Sequence, residues 1–356
     1  MSAFSNRRVL ALSALVTASL ALGLSGAGAQ TTAPNDPLFA DQWGLTKIQA
    51  PQAWSLADGS GITIAIVDSG VDLGHPDFAC GKLVVHPGSN IGSKSSPNTP
   101  QDADGHGTHV AGIAGACTNN GVGVAGVAPG STLMPVRVFD ESDLDKAMAD
   151  GIRFATDKGA HVINLSIGDI PPFSHFGAFL FPETEDAMEY ARNAGVVIAA
   201  AAGNFDQPTC EYPSFSRNVI CVVATDRNDV RSYYSDFPVN ADPFSDEIGL
   251  EPVVAAPGGQ GTFCEEGIVS TYLRSLGSVC YSTGYETLDG TSMSSPHVAG
   301  VAALVYDRLG GVRSKANADL VVQTILDSAD DLYGPGWDPI VGYGRVNALA
   351  AVQSVP

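Results

Sequence analysis

The segment ITIAIVDSG, residues 62–70, indicates the fold class more clearly than any other part of the chain. Residues 62–67 form a continuous apolar run rich in β-branched side chains, and Asp68 follows it directly. Comparable runs lie at 133–139, 162–167, 196–202 and 219–224. The segments with helical composition between such runs are 144–157 and 183–193. Continuous apolar strands that alternate with helices predict an α/β fold, with a mostly parallel central sheet and helices on both faces.

The composition is that of a globular protein with a strong negative charge. The chain has 356 residues, of which 44% are apolar and 16% charged, so it is long enough to bury a sizeable core. Its 18 Lys and Arg residues against 38 Asp and Glu residues give a formal net charge of −20. A chain this acidic lacks a surface that could track phosphates, and no nucleic-acid partner is expected. The charge fits plain solubility, cation binding or attraction of basic substrates.

The N-terminus has the features of a secretory signal peptide. Arg7 and Arg8 precede an uncharged apolar run over residues 9–24, and small residues ending in Ala29 follow. The run is shorter than the roughly 20 residues of a spanning helix, which disfavours the alternative of a membrane anchor. We expect a signal peptide at 1–29, a short segment at 30–35 and one secreted domain at 36–356, with no membrane contact after signal removal.

Two chemistry-bearing side chains follow apolar runs. In open α/β sheets, functional sites form at the carboxyl ends of strands. Asp68 stands at such an end, and its alternative role is to close an Asx-turn or to cap a helix. Asn204 follows the run at 196–202. Taken alone it is a turn residue, whereas beside a nucleophile its amide could donate to a developing oxyanion.

Two glycine-rich segments carry further candidates. In DGHGTHVAGIAG, residues 104–115, His106 and His109 could share a metal, but no third ligand accompanies them. An imidazole held by a buried carboxylate fits better, and spacing does not decide which histidine it is. In GTSMSSPHVAGVAALV, residues 290–305, Ser292 lies at the start of a predicted helix, where the helix dipole stabilises negative charge. Its alternative role is an ordinary N-cap.

Taken together, these segments resemble the three signatures of the subtilisin-like serine proteases: Asp-Ser-Gly at 68–70, His-Gly-Thr-His at 106–109 and Gly-Thr-Ser-Met at 290–293. Further matches are VAGVAP at 124–129, VINLSIG at 162–168, AAGN at 201–204, AAPGG at 255–259 and GRVN at 344–347. NDP at 35–37 and KIQAPQAW at 47–54 resemble the thermitase-like branch. The resemblance covers nearly all of 36–356 and implies the subtilisin-like three-layer fold.

The resemblance implies a secreted, monomeric serine endopeptidase that acts on proteins or peptides. In this role Asp68 would orient His106, which would take the proton of Ser292, and Asn204 would hold the oxyanion. The residues expected to bind substrate are Ser166, Ile167, Gly168, Ala202, Gly203 and Glu211. The alternatives are a dedicated processing peptidase with few targets and a non-catalytic binding protein on the same fold, which the intact set of four residues disfavours.

The position of Glu211 suggests a preference among substrates. When the chain is aligned with the family at Tyr212 and Pro213, Glu211 corresponds to the base of the pocket that receives the side chain before the scissile bond. A carboxylate there would favour Lys or Arg, unless its side chain points to solvent. Residues 170–182, with four phenylalanines, would form either an apolar lip of the cleft or a buried flap.

The resemblance also implies one structural calcium ion. The side chains of Asp36, Asp77 and Asn120 match its ligand positions, and the carbonyl groups of Thr118, Val122 and Val124 would complete the site. Hard oxygen ligands of this kind suit calcium.

In an oxidising compartment the six cysteines are expected to form three disulfides. Pairing neighbours along the chain suggests Cys80–Cys117, Cys210–Cys221 and Cys264–Cys280, which is one of 15 connectivities.

Overall fold

The computed structural model describes residues 33–92, 96–139, 143–168, 180–238, 252–261 and 263–355. The strands are β1 Thr63–Asp68, β2 Thr132–Arg137, β3 Val162–Leu165, β4 Val197–Ala201, β5 Ile220–Thr225, β6 Val253–Pro257, β7 Ile268–Thr271 and β8 Tyr285–Leu288. The helices are α1 Trp43–Lys47, α2 Ala50–Ala53, α3 His106–Gly115, α4 Leu144–Asp157, α5 Pro182–Asn193, α6 Thr291–Arg308, α7 Lys315–Asp327 and α8 Ala348–Ser354, with short 3-10 turns at Phe39–Asp41 and Pro76–Phe78. The expected signal peptide and residues 170–179 of the phenylalanine-rich segment lie outside the described residues.

Six parallel strands form the central sheet in the order β2-β1-β3-β4-β5-β6. The strand order changes direction after β2, so β1 has β2 on one side and β3 on the other. A crevice forms outside the carboxyl ends of the strands at such a switch point. Asp68 ends β1 and Ser166 follows β3, and both therefore reach this crevice.

Each face of the sheet packs against its own helices. Alternate side chains of a strand point to opposite faces. In β1, Ile64 and Ile66 join a core with α3 and α6, whereas Ala65 and Val67 join a second core with α4 and α5. Because both faces are buried, these strands read as unbroken apolar runs, and the predicted α/β fold with helices on both faces is confirmed.

One strand lies within residues 258–282, a stretch whose composition is typical of a loop. Ile268–Thr271 forms β7, which pairs antiparallel with β8. Half of this strand is polar, so no continuous apolar run marks it in the sequence. Strand β6 was likewise not among the predicted runs.

The three predicted disulfides, Cys80–Cys117, Cys210–Cys221 and Cys264–Cys280, are confirmed. Within the described part of the chain, no helix is both long and apolar enough to cross a membrane.

Candidate active site

Asp68 and His106 meet at the switch point of the sheet. His106 begins α3, and its Nδ1 lies 2.8 Å from Oδ1 of Asp68. The same carboxylate oxygen accepts the backbone N–H of Ser69 at 2.7 Å. Asp68 is fully buried, whereas about a quarter of the His106 side chain is exposed. The contact occupies Nδ1, so Nε2 is the nitrogen that remains for proton transfer.

A glycine after His106 makes this contact possible. A Cβ atom on Gly107 would lie 2.2 Å from the carbonyl oxygen of Gly70 and 3.1 Å from the Cβ of Asp68. Because backbone cannot give way at that distance, a larger residue would push α3 away from the end of β1. The His-Gly pair thus reflects close packing of the helix against the strand end.

A second buried carboxylate, that of Asp102, ties the two segments together. Its Oδ1 accepts hydrogen bonds from the Ser69 hydroxyl and from the backbone N–H groups of Asp104 and Gly105. Its Oδ2 accepts the backbone N–H and the hydroxyl of Thr108. Asp102 therefore holds both the turn after Asp68 and the first turn of α3, a role that its place in the sequence does not indicate.

Acidic groups around His106 control its protonation. Burial lowers the pKa of His106, but the charge of Asp68 and the hydrogen bond to it raise the pKa more, and Asp104 and Asp102 add to the rise. The pKa therefore lies above the ordinary value of 6.5.

Ser292 is the second residue of α6, where the helix dipole favours negative charge. Pro296, four residues on, has no N–H, so the carbonyl group of Ser292 lacks its usual partner within the helix. The hydroxyl of Ser166 takes that place and donates to this carbonyl at 2.9 Å. The Ser292 hydroxyl in turn lies 3.5 Å from the carbonyl oxygen of Ser166. These two contacts attach the start of α6 to the end of β3.

The side chain of Asn204, which follows β4, is oriented through its amide oxygen. Oδ1 accepts the backbone N–H of Thr291 at 2.9 Å and its hydroxyl at 3.1 Å. A Cβ atom on Gly290 would lie 3.6 Å from Oδ1 of Asn204 and 3.7 Å from the backbone nitrogen of Ser292. Because its acceptor is held, the Asn204 side chain is oriented beside Ser292 with its NH₂ group available as a donor.

A cavity of about 170 Å³ adjoins Ser292 and Asn204. Five of the six residues predicted to bind substrate line it, namely Ser166, Ile167, Gly168, Gly203 and Glu211. Three residues that were not predicted, Ala201, Phe205 and Thr291, line it as well. The sixth, Ala202, is fully buried, and its carbonyl oxygen accepts the backbone N–H of Glu211 at 2.6 Å. Glu211 is only 4% exposed, so its side chain does not point to solvent, which was the alternative.

The other two histidines of the signature segments are buried in helices. His109 bonds through Nε2 to the Glu286 carbonyl oxygen, and His297 through Nδ1 to that of Met293. Burial lowers the pKa of His109 to about 3 and that of His297 to about 4. Both imidazoles are neutral parts of the core.

The side chains expected to bind calcium form one cluster. Asn120 Nδ2 donates to Asp77 Oδ1 at 3.0 Å, and both Asp36 oxygens accept backbone N–H groups of residues 119 and 120. Asp77 is fully buried. Its burial and the nearby Asp36 raise its pKa to about 6, although the hydrogen bonds from Asn120 and Val124 and the nearby Tyr285 hydroxyl oppose the rise. Two buried carboxylates next to a side-chain amide are the oxygen donors that calcium prefers. The residues thus fit the ion.

The chain is similar to several known proteins. The subtilase family matches residues 59–344. Thermitase from Thermoactinomyces vulgaris is 42% identical over 325 residues, which cover 90% of this chain and 99% of thermitase. A calcium-dependent protease from Nostoc sp. is 34% identical over 331 residues, or 85% of this chain and 47% of that protein. A solved protease structure from Pseudoalteromonas arctica superposes with a TM-score of 0.74 at 31% identity, covering 91% of this chain and 100% of the other.

Proposed function

Because the chain belongs to the subtilase family and is a subtilisin-like serine endopeptidase, we propose that Asp68, His106 and Ser292 are its catalytic triad, with Asn204 as an oxyanion donor. The contact between His106 Nδ1 and Asp68 Oδ1 at 2.8 Å is the observation that carries this proposal. A buried carboxylate holds the imidazole in one tautomer, and the opposite nitrogen becomes a base for the Ser292 hydroxyl.

The mechanism follows from these positions. His106 Nε2 accepts the Ser292 proton as the hydroxyl oxygen attacks the peptide carbonyl carbon, and Asp68 stabilises the imidazolium that forms. The Asn204 amide and the backbone N–H of Ser292 donate to the oxyanion. Collapse of the intermediate breaks the C–N bond, and the leaving amine takes the proton from His106. Water then releases the acyl group by the same steps.

Replacing Ser292 tests the triad. We expect Ser292→Ala to lower the rate of casein hydrolysis at least about 10⁴-fold, because the nucleophile is lost while the fold is kept. Ser294→Ala, which removes a neighbouring buried hydroxyl of α6, is the matched control and should keep the activity. Thermal unfolding checks that both variants are folded. Full activity of folded Ser292→Ala would contradict the proposed mechanism.

Secretion forms part of the proposal. The basic start, the apolar run at 9–24 and the small residues before Gln30 support a signal peptide, and the pairing of all six cysteines supports an oxidising compartment. N-terminal sequencing of protein collected outside the producing cells should read from Gln30. Protein that remains inside the cells with its original N-terminus would rule out this export.

Calcium is the proposed structural ion. Asp36, Asp77 and Asn120 would hold it with their side chains, and the carbonyl groups of Thr118, Val122 and Val124 would complete its coordination. When bound, the ion would neutralise the two buried carboxylates and link the N-terminal segment to the loop after α3. The ion would act on stability, and the proposed chemistry does not involve it.

A further inference from the structure

Glu211 places a carboxyl group in the pocket beside Ser292. Among the described residues that line this cavity, Glu211 is the one with a carboxyl side chain. Its carboxylate approaches Gly168 on the opposite wall, where a Cβ atom would lie 3.2 Å from Oε2. The remaining lining residues are uncharged, although Ser166, Asn204, Thr291 and Ser292 are polar. Glu211 is therefore the acidic component of a small pocket next to the proposed nucleophile.

A second carboxylate, that of Asp236, lies behind this wall. Asp236 is fully buried, and its Oδ1 accepts the backbone N–H groups of Phe205 at 3.0 Å and Gln207 at 2.6 Å. Its own backbone N–H donates to the carbonyl oxygen of Gly203 at 3.0 Å. Oδ2 has no hydrogen-bond partner among the described residues. A buried carboxylate oxygen without a partner is costly, and this one needs an explanation.

The two carboxyl groups converge at Gly203. The position that a Cβ atom on Gly203 would take lies 2.1 Å from Asp236 Oδ2 and 2.7 Å from the Cδ of Glu211. Gly203 has a φ of +115°, a conformation that favours glycine, and it also lines the pocket. The unpartnered oxygen of Asp236 is thus directed towards the base of the pocket, next to Glu211.

In the part of the chain that the structure describes, the charged groups that face Asp236 are Glu211, Asp206 and Arg231. The Arg231 guanidinium donates to Asp206 at 2.7 Å and also to the carbonyl oxygen of Ser235, so its donors are directed elsewhere. Burial raises the pKa of Asp236 to about 6, although the two backbone N–H groups oppose the rise.

We propose that Glu211 and Asp236 together form a two-carboxylate base of the pocket that receives the side chain before the scissile bond, and that this pair selects Arg and Lys. The inference rests on the proposed function of Ser292 and adds its substrate class. A cationic side chain entering the pocket would offset the repulsion between two buried carboxylates. Arginine, with five donors in a planar fork, suits such a pair best.

The test compares two tetrapeptide nitroanilides that differ only in the last residue, Arg or Leu. We expect a kcat/KM for Arg well above that for Leu. In Glu211→Gln this Arg-to-Leu ratio should fall about 100-fold, and in Asp236→Asn, which keeps the Oδ1 acceptor, about tenfold. Glu189→Gln removes one exposed negative charge far from the cleft and should leave the ratio unchanged.

The pH dependence of the same ratio separates Asp236 from a merely structural residue. Because Asp236 loses its proton as the pH rises through about 6, the ratio should rise over that range in the native enzyme. The titration of His106 changes kcat/KM equally for both substrates, so its effect cancels in the ratio. In Asp236→Asn the rise should disappear.

The outcomes separate this inference from the proposed function. Cleavage of the Leu peptide at an equal or higher rate than the Arg peptide overturns the acidic pocket and leaves the peptidase intact. If the Arg-to-Leu ratio and its pH profile are unchanged in Asp236→Asn, Asp236 does not contribute to the selectivity of the pocket. Failure to cleave any peptide or casein would instead contradict the proposed catalytic role of Ser292.

Discussion

At the scale of single residues, the charges around His106 determine the pH at which it can act. A neutral imidazole is needed to accept the Ser292 proton, so activity should rise as the pH increases through the pKa of His106. Asp68, Asp104 and Asp102 raise that pKa above 6.5. Asp104 differs from the other two because it is exposed and accepts the backbone N–H of His106, at 3.2 Å.

Removing the charge of Asp104 should therefore shift the pH profile. In Asp104→Asn we expect the acid limb of kcat/KM to move to lower pH by about 0.3 units, since one exposed negative charge near the imidazole is lost. Glu189→Gln, distant from the site, is the control and should leave the limb in place. An acid limb that moves to higher pH, or that does not move at low ionic strength, would contradict the electrostatic explanation.

At the scale of secondary-structure elements, the end of β3 positions the start of α6. Ser295 donates to Asn164 Oδ1 at 2.7 Å, Asn164 Nδ2 donates to the Ser166 hydroxyl at 2.9 Å, and that hydroxyl donates to the Ser292 carbonyl oxygen. Pro296 makes this chain of hydrogen bonds necessary, because it leaves the Ser292 carbonyl without a helical partner. The strand and the helix are thereby joined at the proposed nucleophile.

Breaking this chain should lower turnover. Asn164→Ala leaves the hydroxyls of Ser166 and Ser295 without their amide partner, and we expect kcat to fall about tenfold because Ser292 is less well positioned. The lost buried hydrogen bonds should also reduce the free energy of unfolding by about 2 kcal/mol. Ser131→Ala, which removes a buried hydroxyl bond distant from α6, should lose stability but keep kcat. A normal kcat in Asn164→Ala would show that the strand end does not position Ser292.

At the scale of the whole molecule, the proposed calcium cluster joins segments that are far apart in sequence. Asp36 belongs to the N-terminal segment, Asp77 to the turn after β1 and Asn120 to the loop after α3. The disulfide Cys80–Cys117 also joins the region of Asp77 to the region of Asn120. Neutralising the two carboxylates would therefore stabilise the contact between three parts of the fold.

Removal of calcium should lower the melting temperature. For an ion present at about 1,000 times its Kd, the stabilisation is about 4 kcal/mol, which for a domain of this size corresponds to roughly 6 °C. Differential scanning calorimetry with and without a chelator measures this shift. Asp77→Asn should lose the response to chelator, and Asp327→Asn, an exposed carboxylate on α7, should retain it. Equal melting temperatures of the native protein with and without chelator would exclude a structural calcium ion.

Much of the fold could be predicted because its signals are local. Strands buried on both faces read as apolar runs, and five of them were found with end shifts of one or two residues. The segments around Asp68, His106 and Ser292 were equally visible, because a strand end, a glycine-flanked turn and a helix start each need particular residues. Strands β6 to β8 were missed because they lack a long apolar run: β6 ends in a proline, and β7 and β8 are half polar.

The sequence by itself determined the α/β architecture and the candidates for the triad, because each depends on residue types within a short window. Tertiary structure alone decided that Asp102 holds both the turn after Asp68 and the start of α3, that Ser166 bonds the carbonyl of Ser292, and that Asp236 lies beside Glu211. The physical reason is that a carboxylate in a loop looks the same in sequence whether it is solvated or buried. Only the packing around Gly203, which brings two distant segments within a few ångströms, makes Asp236 part of the pocket.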